Sequence, residues 1–446
     1  MNIIICGAGQ VGTYSAEFLA KADHDITVVD SDPARLKTIA DTMDVATCAG
    51  NAAQAEILRE AGGADADLVV AATDRDEVNL LSAAVAKAIG TAKTIARVHH
   101  NSFFSNRGLD YEKHLGIDRL ICPEYSTAQA IASKLRNPGA LAVENFARGA
   151  ILMQQLPVAP TATAIGKPLS ELALKTGTRL AAITRGGDAF IPDASSTVQA
   201  GDHVILVGNK RAFQEARKLF HDDKAGRRRV VIMGGTATAV WLCRTLHDRN
   251  FSIRLFEINR ERAEELAEKL DWVTVIQADP TDQSVADEEK LGQADAFVAL
   301  RHDEEANIIA SVLAISLGVT HAYAVVRSAS YTQLGSHIGV NDTFNPAEEA
   351  GKEIERTLEE RPLHKMSSLA GGVADAYLVR VNIKGEVVGK RLKDIKLSPN
   401  WIVAAIRRSD KAWVPGADDM LEVGDTALLI GKRGAEKQLK KLFAAR

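Results

Sequence analysis

The stretch Asn2-Ile3-Ile4-Ile5-Cys6-Gly7-Ala8-Gly9-Gln10-Val11-Gly12 joins an apolar run directly to a glycine-rich turn. A second apolar run, Thr27-Val28-Val29, ends at Asp30, at the spacing from Gly12 that one helix and one strand would occupy. A strand, a Gly-x-Gly-x-x-Gly turn, a helix and a second strand with a terminal acid are typical of a βαβ unit that binds phosphate at its first turn. The stretch therefore predicts a parallel sheet with helices on both faces.

The same pattern starts again at residue 228. Val230-Val231-Ile232-Met233 precedes Gly234-Gly235-Thr236-Ala237-Thr238-Ala239, and Arg254-Leu255-Phe256 ends at Glu257. Gly234 lies as far along the chain from Gly7 as Glu257 does from Asp30. This duplication argues against an ordinary dehydrogenase, since such an enzyme pairs one nucleotide domain with one substrate domain.

Shorter segments between these units are also repeated, and the three repeated pairs share one common offset. The pairs are Gly166-Lys167-Pro168-Leu169 with Gly389-Lys390-Arg391-Leu392, Ala181–Arg185 with Ala404–Arg408, and Ala200-Gly201-Asp202 with Val423-Gly424-Asp425. The order along the chain is therefore large, small, large, small. We predict large domains at 1–136 and 228–347, and small domains at 140–222 and 367–446.

Alternating apolar runs and helical segments define the first large domain. Strands are predicted at 2–6, 25–30, 45–48, 67–72, 93–98 and 119–121, and helices at about 11–21, 33–43, 52–61, 76–89, 103–115 and 125–135. Asp32-Pro33 predicts a helix start, and Asp74 with Glu77 has the spacing of a capping box. This alternation predicts an α/β fold with a Rossmann-like, doubly wound parallel sheet.

Each small domain is predicted to be a compact α+β module. In the first one, strands are predicted near 151–156, 180–185 and 203–207, followed by a helix at 211–220. Its sequence contains no Cys/His cluster and no spacing of a nucleophile with a base.

Bulk composition indicates a cytoplasmic globular protein. A hydrophobic fraction of 46% and a charged fraction of 25% are ordinary for this class, and a net charge of −4 gives no general attraction to nucleic acid. No signal peptide or run of about 20 apolar residues is visible, so any membrane association is expected to be peripheral. The four cysteines have no paired spacing and are predicted to be buried thiols in a reducing compartment.

The first glycine turn carries the clearest chemical signal. Gly7 permits a tight turn, Gly9 lets the backbone approach a pyrophosphate, and Gly12 lets the helix pack close to the strand. Asp30 is predicted to accept hydrogen bonds from both hydroxyls of an adenosine ribose. Its charge would repel a 2′-phosphate, which favours NAD(H), ATP or ADP over NADP(H).

Other candidates follow the neighbouring strands. The loop Ala72-Thr73-Asp74 is predicted to flank the adenine or ribose, and Arg97 ends a strand from which it could reach phosphate oxygens. A surface salt bridge is the alternative for Arg97. Asn51 is either a ribose or adenine contact or a simple turn residue.

The second glycine turn is degraded. Thr236 replaces the glycine that approaches a pyrophosphate, while Ala239 is a tolerated replacement at the last glycine. Gly234, Gly235, Glu257 and Asp279 remain as candidates for a second nucleotide site. We expect this domain to keep its fold and to have weak, altered or absent nucleotide affinity.

No catalytic or metal-binding residue is predicted. His99 and His100 are adjacent, so on a strand they would point to opposite faces and could not hold one metal together. No Ser–His–Asp or Cys–His arrangement is visible, and no clear general acid accompanies a substrate domain.

The glycine turn, Ile26-Thr27-Val28-Val29-Asp30, Thr73–Asn79 with its repeat Arg301–Asn307, and Ile95–Val98 together resemble the RCK/KTN nucleotide-binding domain. The small domains resemble the RCK C-terminal (TrkA-C) domain. Two tandem copies of this pair cover essentially the whole chain, an arrangement similar to the TrkA family of regulatory subunits of bacterial Trk potassium uptake systems.

This resemblance implies a non-enzymatic protein on the cytoplasmic face of the inner membrane. It implies a homotetrameric ring beneath a potassium-translocating subunit of the TrkH/TrkG type, with nucleotide binding changing the ring and hence gating. The family's cofactor residues carry over to Gly7, Ala8, Gly9, Gln10, Val11, Asp30, Thr73, Asp74 and Arg97.

Two other functions stay open on the sequence alone. One is an NAD-dependent oxidoreductase, which requires a catalytic acid in a substrate cleft and steady NADH turnover. The other is a nucleotide-sensing regulator of a different cation transporter, such as a cation/proton antiporter, because no residue pattern identifies the membrane partner.

Overall fold

The structure is a computed structural model and describes residues 1–21, 24–104, 108–136, 142–147, 150–220, 227–247, 250–358, 363–369, 373–409, 411–434 and 436–443. The chain forms two compact units. One unit contains both large domains (Met1–Leu135 with Gly226–Leu358), and the other contains both small domains (Arg136–Ala225 with Glu359–Arg446). Domains of the same kind therefore pack together, although they are not consecutive in the sequence.

The first large domain contains a parallel sheet of six strands. Its elements are β1 (Asn2–Cys6), α1 (Gln10–Ala20), β2 (Asp25–Asp30), α2 (Pro33–Thr42), β3 (Ala46–Ala49), α3 (Ala55–Glu60), β4 (Leu68–Ala71), α4 (Asp76–Ile89), β5 (Lys93–Arg97), α5 (Asn101–Phe104), α6 (Tyr111–Leu115), β6 (Arg119–Ile121) and α7 (Pro123–Arg136). The strand order is β3-β2-β1-β4-β5-β6. Central strand β1 is mostly apolar because both of its faces are covered: Ile3 and Ile5 enter one core and Ile4 the other. The predicted doubly wound sheet is confirmed.

Two details of this domain differ from the sequence prediction. The single helix predicted at 103–115 is wrong: α5 and α6 are separate, and α6 starts where the Asp110 carboxylate accepts a hydrogen bond from the Lys113 N–H at 3.0 Å. The capping box predicted at Asp74 is also wrong, since α4 starts at Asp76 after Arg75. The predicted cap at Asp32 is confirmed by its bond from the Ala34 N–H.

The first small domain is an antiparallel sheet with one helix. Its elements are β7 (Ala142–Phe146), β8 (Ile151–Pro157), β9 (Thr178–Arg185), β10 (Asp188–Phe190), β11 (His203–Asn209) and α8 (Lys210–Arg217). The strand order is β10-β9-β11-β8-β7. The three predicted strands are confirmed, whereas β7 and β10 were not predicted and α8 ends before residue 220.

The second large domain repeats the first. Its elements are β12 (Arg228–Met233), α9 (Ala237–Thr245), β13 (Phe251–Phe256), α10 (Arg260–Lys269), β14 (Thr274–Ile276), α11 (Gln283–Glu288), β15 (Ala296–Ala299), α12 (Glu304–Ser316), β16 (His321–Val325), α13 (Ala329–His337), β17 (Asp342–Phe344) and α14 (Pro346–Leu358). The strand order, β14-β13-β12-β15-β16-β17, has the same topology.

The second small domain has the elements β18 (Leu363–Leu369), β19 (Ala374–Arg380), β20 (Trp401–Arg408), β21 (Lys411–Trp413), β22 (Thr426–Lys432) and α15 (Glu436–Phe443).

An ion pair with a buried aspartate explains the repeated Gly-Asp turn of both small domains. Arg185 forms two hydrogen bonds with Asp202, at 2.8 and 2.7 Å, and Arg408 does the same with Asp425, at 2.8 and 2.9 Å.

The last helix of each large domain packs on the other large domain. In α7, Ile131 and Leu135 belong to the core of the second sheet, together with Ile232 and Val298. In α14, Ile354 belongs to the core of the first sheet, and so do Ala347 and Ala350. The Arg228 guanidinium donates to the Leu135 carbonyl at 2.5 Å, which ties the end of α7 to β12. Each large domain is therefore completed by a helix from the other.

No helix in the described part of the chain combines the length and the apolar composition needed to cross a bilayer.

Candidate functional site

The first glycine turn has an open centre and two crowded ends. Gly7 has a φ of +108°, and its N–H donates to the Val29 carbonyl at 2.7 Å. A Cβ on Gly12 would lie 1.8 Å from the Gly7 carbonyl oxygen. A Cβ on Gly9 would meet no heavy atom within 4 Å. Two of the glycines are thus required by packing, while the space beside Gly9 is free for a ligand to approach the backbone.

The Asp30 carboxylate lies beside this turn and is held by two backbone groups. It accepts hydrogen bonds from the Ala8 N–H at 2.6 Å and from the Asp32 N–H at 2.8 Å. An ionised carboxylate has about four lone-pair directions. Each oxygen therefore keeps acceptor capacity for a ribose hydroxyl.

The helix that follows the turn presents free donors to the same space. Gly9 is the N-cap of α1, and no side chain caps this helix. Gln10, its first residue, is exposed, whereas Val11 is buried in the core. Uncapped N–H groups and the positive end of the helix dipole favour an anion such as a pyrophosphate.

Three of the other predicted residues lie at the carboxyl edge of the same sheet. Thr73 follows β4, and its backbone nitrogen would lie 2.9 Å from a Cβ on Gly7. Asn51 follows β3, and its side chain accepts from the Ala53 N–H at 3.0 Å. Asp74 is exposed and lines an open cleft of about 450 Å³ together with Asp76, Glu77 and the two histidines. The crevice at this edge is where doubly wound sheets bind ligands.

Arg97 lies one strand farther from the turn and has an acidic neighbour. Its guanidinium Nη2 is 3.7 Å from Oε1 of Glu124, at the start of α7, and 3.5 Å from His99 Nδ1. Its Nε is buried with no hydrogen-bond partner among the described residues. Burial would raise the pKa of Glu124, but the hydrogen bond and charge of His99 and the charge of Arg97 lower it on balance. Arg97 is thus partly neutralised within the chain and retains donors for another anion.

This edge is held together by Asn79, which the sequence did not single out as a functional residue. Asn79 is fully buried in α4. Its side chain accepts from the Thr73 N–H at 2.7 Å and from the Thr73 hydroxyl at 2.6 Å, and it donates to the carbonyls of Thr73 and Arg97, both at 3.0 Å. Asn307 makes the corresponding contacts with Arg301 and Val325. The signal in the sequence was this pair of asparagines, which end the repeated segments Thr73–Asn79 and Arg301–Asn307.

Replacing Asn79 by alanine is expected to destabilise the chain by about 2–4 kcal/mol, because buried donors and acceptors at the ends of two strands would lose their partners. Urea unfolding of the nucleotide-free protein measures this. The control is Asn51→Ala, which removes one exposed hydrogen bond and is expected to cost less than about 1 kcal/mol. Equal shifts for both variants would contradict the role of Asn79.

The two histidines, His99 and His100, have their backbone held by a neighbouring carboxylate. Both follow β5 instead of lying on it, and the Asp76 carboxylate accepts from both of their backbone N–H groups at 2.8 Å. The His99 ring contacts Glu124 and the His100 ring contacts the Ser102 hydroxyl. Within the described ranges, no group of three or more His, Cys, Asp or Glu side chains could hold a metal ion.

The second glycine turn keeps the backbone of the first. Gly234 has a φ of +97°, and its N–H donates to the Phe256 carbonyl at 2.8 Å. Glu257 accepts from the Gly235 N–H at 2.7 Å and from the Asn259 N–H at 2.8 Å, as Asp30 does in the first domain. Asp279 follows β14 and has side-chain partners of its own, Thr281 and Arg301.

Comparison with known proteins agrees with the duplicated architecture. The TrkA-N domain family matches residues 3–123 and 230–346, and the TrkA-C domain family matches residues 153–221 and 376–444. A Trk system potassium uptake protein TrkA homolog of Archaeoglobus fulgidus is 32% identical over 99% of this chain and 100% of its own length. The Trk system potassium uptake protein TrkA of Halomonas elongata is 31% identical over 99% of this chain and 98% of its own.

Among solved structures, the crystal structure of the GsuK RCK domain has a TM-score of 0.62 at 17% identity and covers all of this chain and 95% of its own. The GsuK channel bound to NAD has a TM-score of 0.63 at 16% identity, with 100% and 79% covered. At these identities the likeness shows the fold.

Proposed function

The chain belongs to the TrkA family, and from that premise we propose that it is a nucleotide-binding regulatory subunit that controls potassium uptake through a membrane-embedded Trk-type transporter. The relatives that support this proposal are named as potassium uptake proteins and match this chain over nearly its whole length. The structural feature that most strongly supports nucleotide binding is the Asp30 carboxylate, which is fixed beside an open glycine turn and an uncapped helix start. The protein acts by binding and not by catalysis.

The proposed ligand is NAD(H) or an adenine nucleotide such as ADP or ATP. Asp30 binds the ribose hydroxyls, the Gly7–Val11 backbone receives the phosphates, and Asn51, Thr73 and Asp74 flank the adenosine. These side chains and N–H groups fit a ribose and a pyrophosphate because the carboxylate acceptor and the free backbone donors both border the open space beside the turn. One structure with this fold is described as bound to NAD, and another as bound to ADP.

The proposed assembly is a homo-oligomeric ring, and exposed apolar side chains on α4 and α12 are its candidate contacts. Leu81 in α4 is 53% exposed, and Ile309, its repeat in α12, is 67% exposed. Apolar side chains at the same outer position of both domains favour a contact with a second copy of the chain. We propose a tetramer on the cytoplasmic face of the membrane, contacting a potassium-translocating subunit of the TrkH/TrkG type.

Regulation follows from differential binding. A ligand shifts a ring between two shapes only by the difference between its affinities for them. The first turn of helix α7 carries Glu124, beside Arg97, and the helix packs on the second large domain, so a phosphate that attracts Arg97 would change the contact between the two domains. We propose this connection as the route from nucleotide to ring shape.

Replacing Arg97 by alanine is expected to lower the preference for ATP over ADP by about 10-fold, because one charge-assisted hydrogen bond to the terminal phosphate is lost. Arg97→Lys keeps the charge and should keep part of the preference. Glu124→Gln removes the competing carboxylate and should increase the preference. Calorimetric titration with both nucleotides measures the ratio; if Arg97→Ala leaves it unchanged, Arg97 is not the sensor.

Potassium uptake tests the proposed function directly. The host lacks its own Trk regulatory subunit and carries the cognate membrane subunit of this protein, and uptake is followed at low external potassium. Uptake is expected to depend on the chain. Failure to rescue uptake by a folded, expressed protein would overturn the proposal, and steady turnover of NADH with a small substrate would favour an oxidoreductase instead.

A further inference from the structure

In the second large domain, an ion pair crosses the carboxyl edge of the sheet beside the glycine turn. Arg301 stands just beyond the end of β15, at the position that Thr73 has beyond the end of β4, since Asn307 binds the Arg301 backbone as Asn79 binds that of Thr73. The Arg301 side chain extends to Asp279, beyond the end of β14, where its Nη2 lies 3.0 Å from Oδ2. In the sheet order β14-β13-β12-β15, this ion pair spans the ends of β12 and β13. Those two strand ends carry the glycine turn and Glu257.

Arg301 lies beside the turn with both its backbone and the first part of its side chain. A Cβ on Gly234 would lie 3.0 Å from Arg301 Cγ, a side-chain atom, and also 3.0 Å from the Arg301 backbone nitrogen. In the first domain, the nearest atoms to a Cβ on Gly7 are backbone atoms of Ala72 and Thr73. The corresponding side chains there are short and turn back on their own loops: Thr73 bonds to Asn79, and Asn51 to the Ala53 N–H. The crevice beside Gly7 therefore stays open, whereas the Arg301–Asp279 ion pair crosses the crevice beside Gly234.

Side chains of the second domain also bind its own glycine turn and the start of α9. The Thr236 side chain caps α9 by accepting from the Ala239 N–H, whereas no side chain caps α1. Arg262 donates to the Gly235 carbonyl at 2.8 Å, and Leu266 packs against Gly235. In the first domain, the residue that occupies the Arg262 position of the repeat is Arg35, which is exposed and pairs with Asp32 instead.

We propose that the Arg301–Asp279 ion pair, together with the Thr236 cap, is a built-in occupant of the second crevice that excludes adenine nucleotides. Each chain then binds one nucleotide, in the first large domain, and the second large domain keeps its shape without a ligand. This inference rests on the proposed nucleotide binding at the first crevice. The sequence led us to expect weak, altered or absent nucleotide affinity in the second large domain. The ion pair and the cap would make that affinity absent.

The first domain supplies the matched substitutions that should open the second crevice. Arg301→Thr, Asp279→Asn and Thr236→Gly place the residues of Thr73, Asn51 and Gly9 at the corresponding positions. Radiolabelled ADP bound per chain is measured by equilibrium dialysis for the full chain, and far-UV circular dichroism checks folding. The wild type is expected to bind one ADP and the triple variant two. At an ADP concentration about ten times the wild-type dissociation constant, Asp30→Ala, whose affinity is expected to be about 100-fold lower, should bind only about 0.1 ADP per chain. Asp30→Ala combined with the triple variant is expected to bind about one.

Four outcomes separate this inference from the proposed function. Two ADP per wild-type chain would overturn the closed crevice. A folded triple variant that still binds one ADP would overturn the roles given to these three side chains; the single variant Arg301→Thr repeats the test if the triple variant does not fold. No ADP on the wild type but one on the triple variant would support the closure and overturn the first site. No ADP on either would overturn the nucleotide binding on which the inference rests.

Discussion

Replacing Asp30 by alanine is expected to weaken the binding of ADP and of NADH by about 100-fold or more. In the proposed site its carboxylate accepts from two ribose hydroxyls, and hydrogen bonds to a charged group contribute about 1.5–3 kcal/mol each. A loss of about 3 kcal/mol corresponds to a factor of about 100 in affinity. Calorimetric titration measures the affinity, and the same variant should impair potassium uptake in the rescue assay at equal expression.

Glu257→Ala is the matched control for this prediction. Glu257 accepts the same two kinds of backbone N–H bond in the second domain as Asp30 does in the first. Any general damage from removing such a carboxylate should therefore be similar in both variants. The affinity for ADP is expected to stay within about 3-fold of the wild-type value in Glu257→Ala, a change of less than about 1 kcal/mol. An equal loss in both variants would show that Asp30 acts only on the local fold.

The uptake assay tests Asp30 separately. If Asp30→Ala rescues potassium uptake as well as the wild type does, the chain is still a regulator of uptake, but the first site does not control it.

Replacing Gly12 by alanine is expected to destabilise the chain by about 2–4 kcal/mol, as overpacking against a fixed backbone does. Alanine in a helix interior is normally more favourable than glycine by up to about 1 kcal/mol, so the sign of the effect is diagnostic. Here the new methyl group would lie 1.8 Å from the Gly7 carbonyl oxygen, and either α1 or the turn must shift. The midpoint of thermal or urea unfolding, followed without nucleotide, measures the loss.

Gly9→Ala separates packing from ligand approach. A methyl group there meets open space, and its φ of −79° suits alanine, so stability is expected to change by less than about 1 kcal/mol. The methyl group instead enters the open space in which we propose that the pyrophosphate binds, and the affinity for NADH should fall. If Gly12→Ala unfolds no more easily than Gly9→Ala, the close approach of α1 to the turn does not constrain the fold.

The parts of the fold that could be predicted are those encoded by local patterns. The apolar strands, the glycine turns and the start of α2 at Asp32 follow from residues close together in the sequence. The duplication follows because the same local patterns recur in the second half of the chain. The helix predicted at 103–115 failed because Asp110 caps a new helix inside an otherwise helical pattern. The capping box at Asp74 failed because its neighbour Asp76 begins α4 and is bonded to the backbone of two histidines.

The geometry of the candidate site was predictable only where a residue type implies its role. Gly7, Gly12 and Asp30 have such types, and the structure places them together. The residue type of Asn79 implies no such role, because a buried polar side chain in a helix reveals its role only through the two strand ends that it joins. The reach of Arg301 to Asp279 depends on side-chain direction and sheet order, which no spacing in the sequence encodes.

The exchange of α7 and α14 has a consequence for how the two halves of the chain could diverge in evolution. In a pair of identical subunits, a substitution that closes one crevice closes both. Two copies in one gene can accumulate different substitutions, yet each must keep the surface that accepts the other's last helix. One half can thus become an obligate scaffold while the other keeps the ligand. Because both copies lie in one chain, a difference between their two crevices is inherited together with the helices that join them.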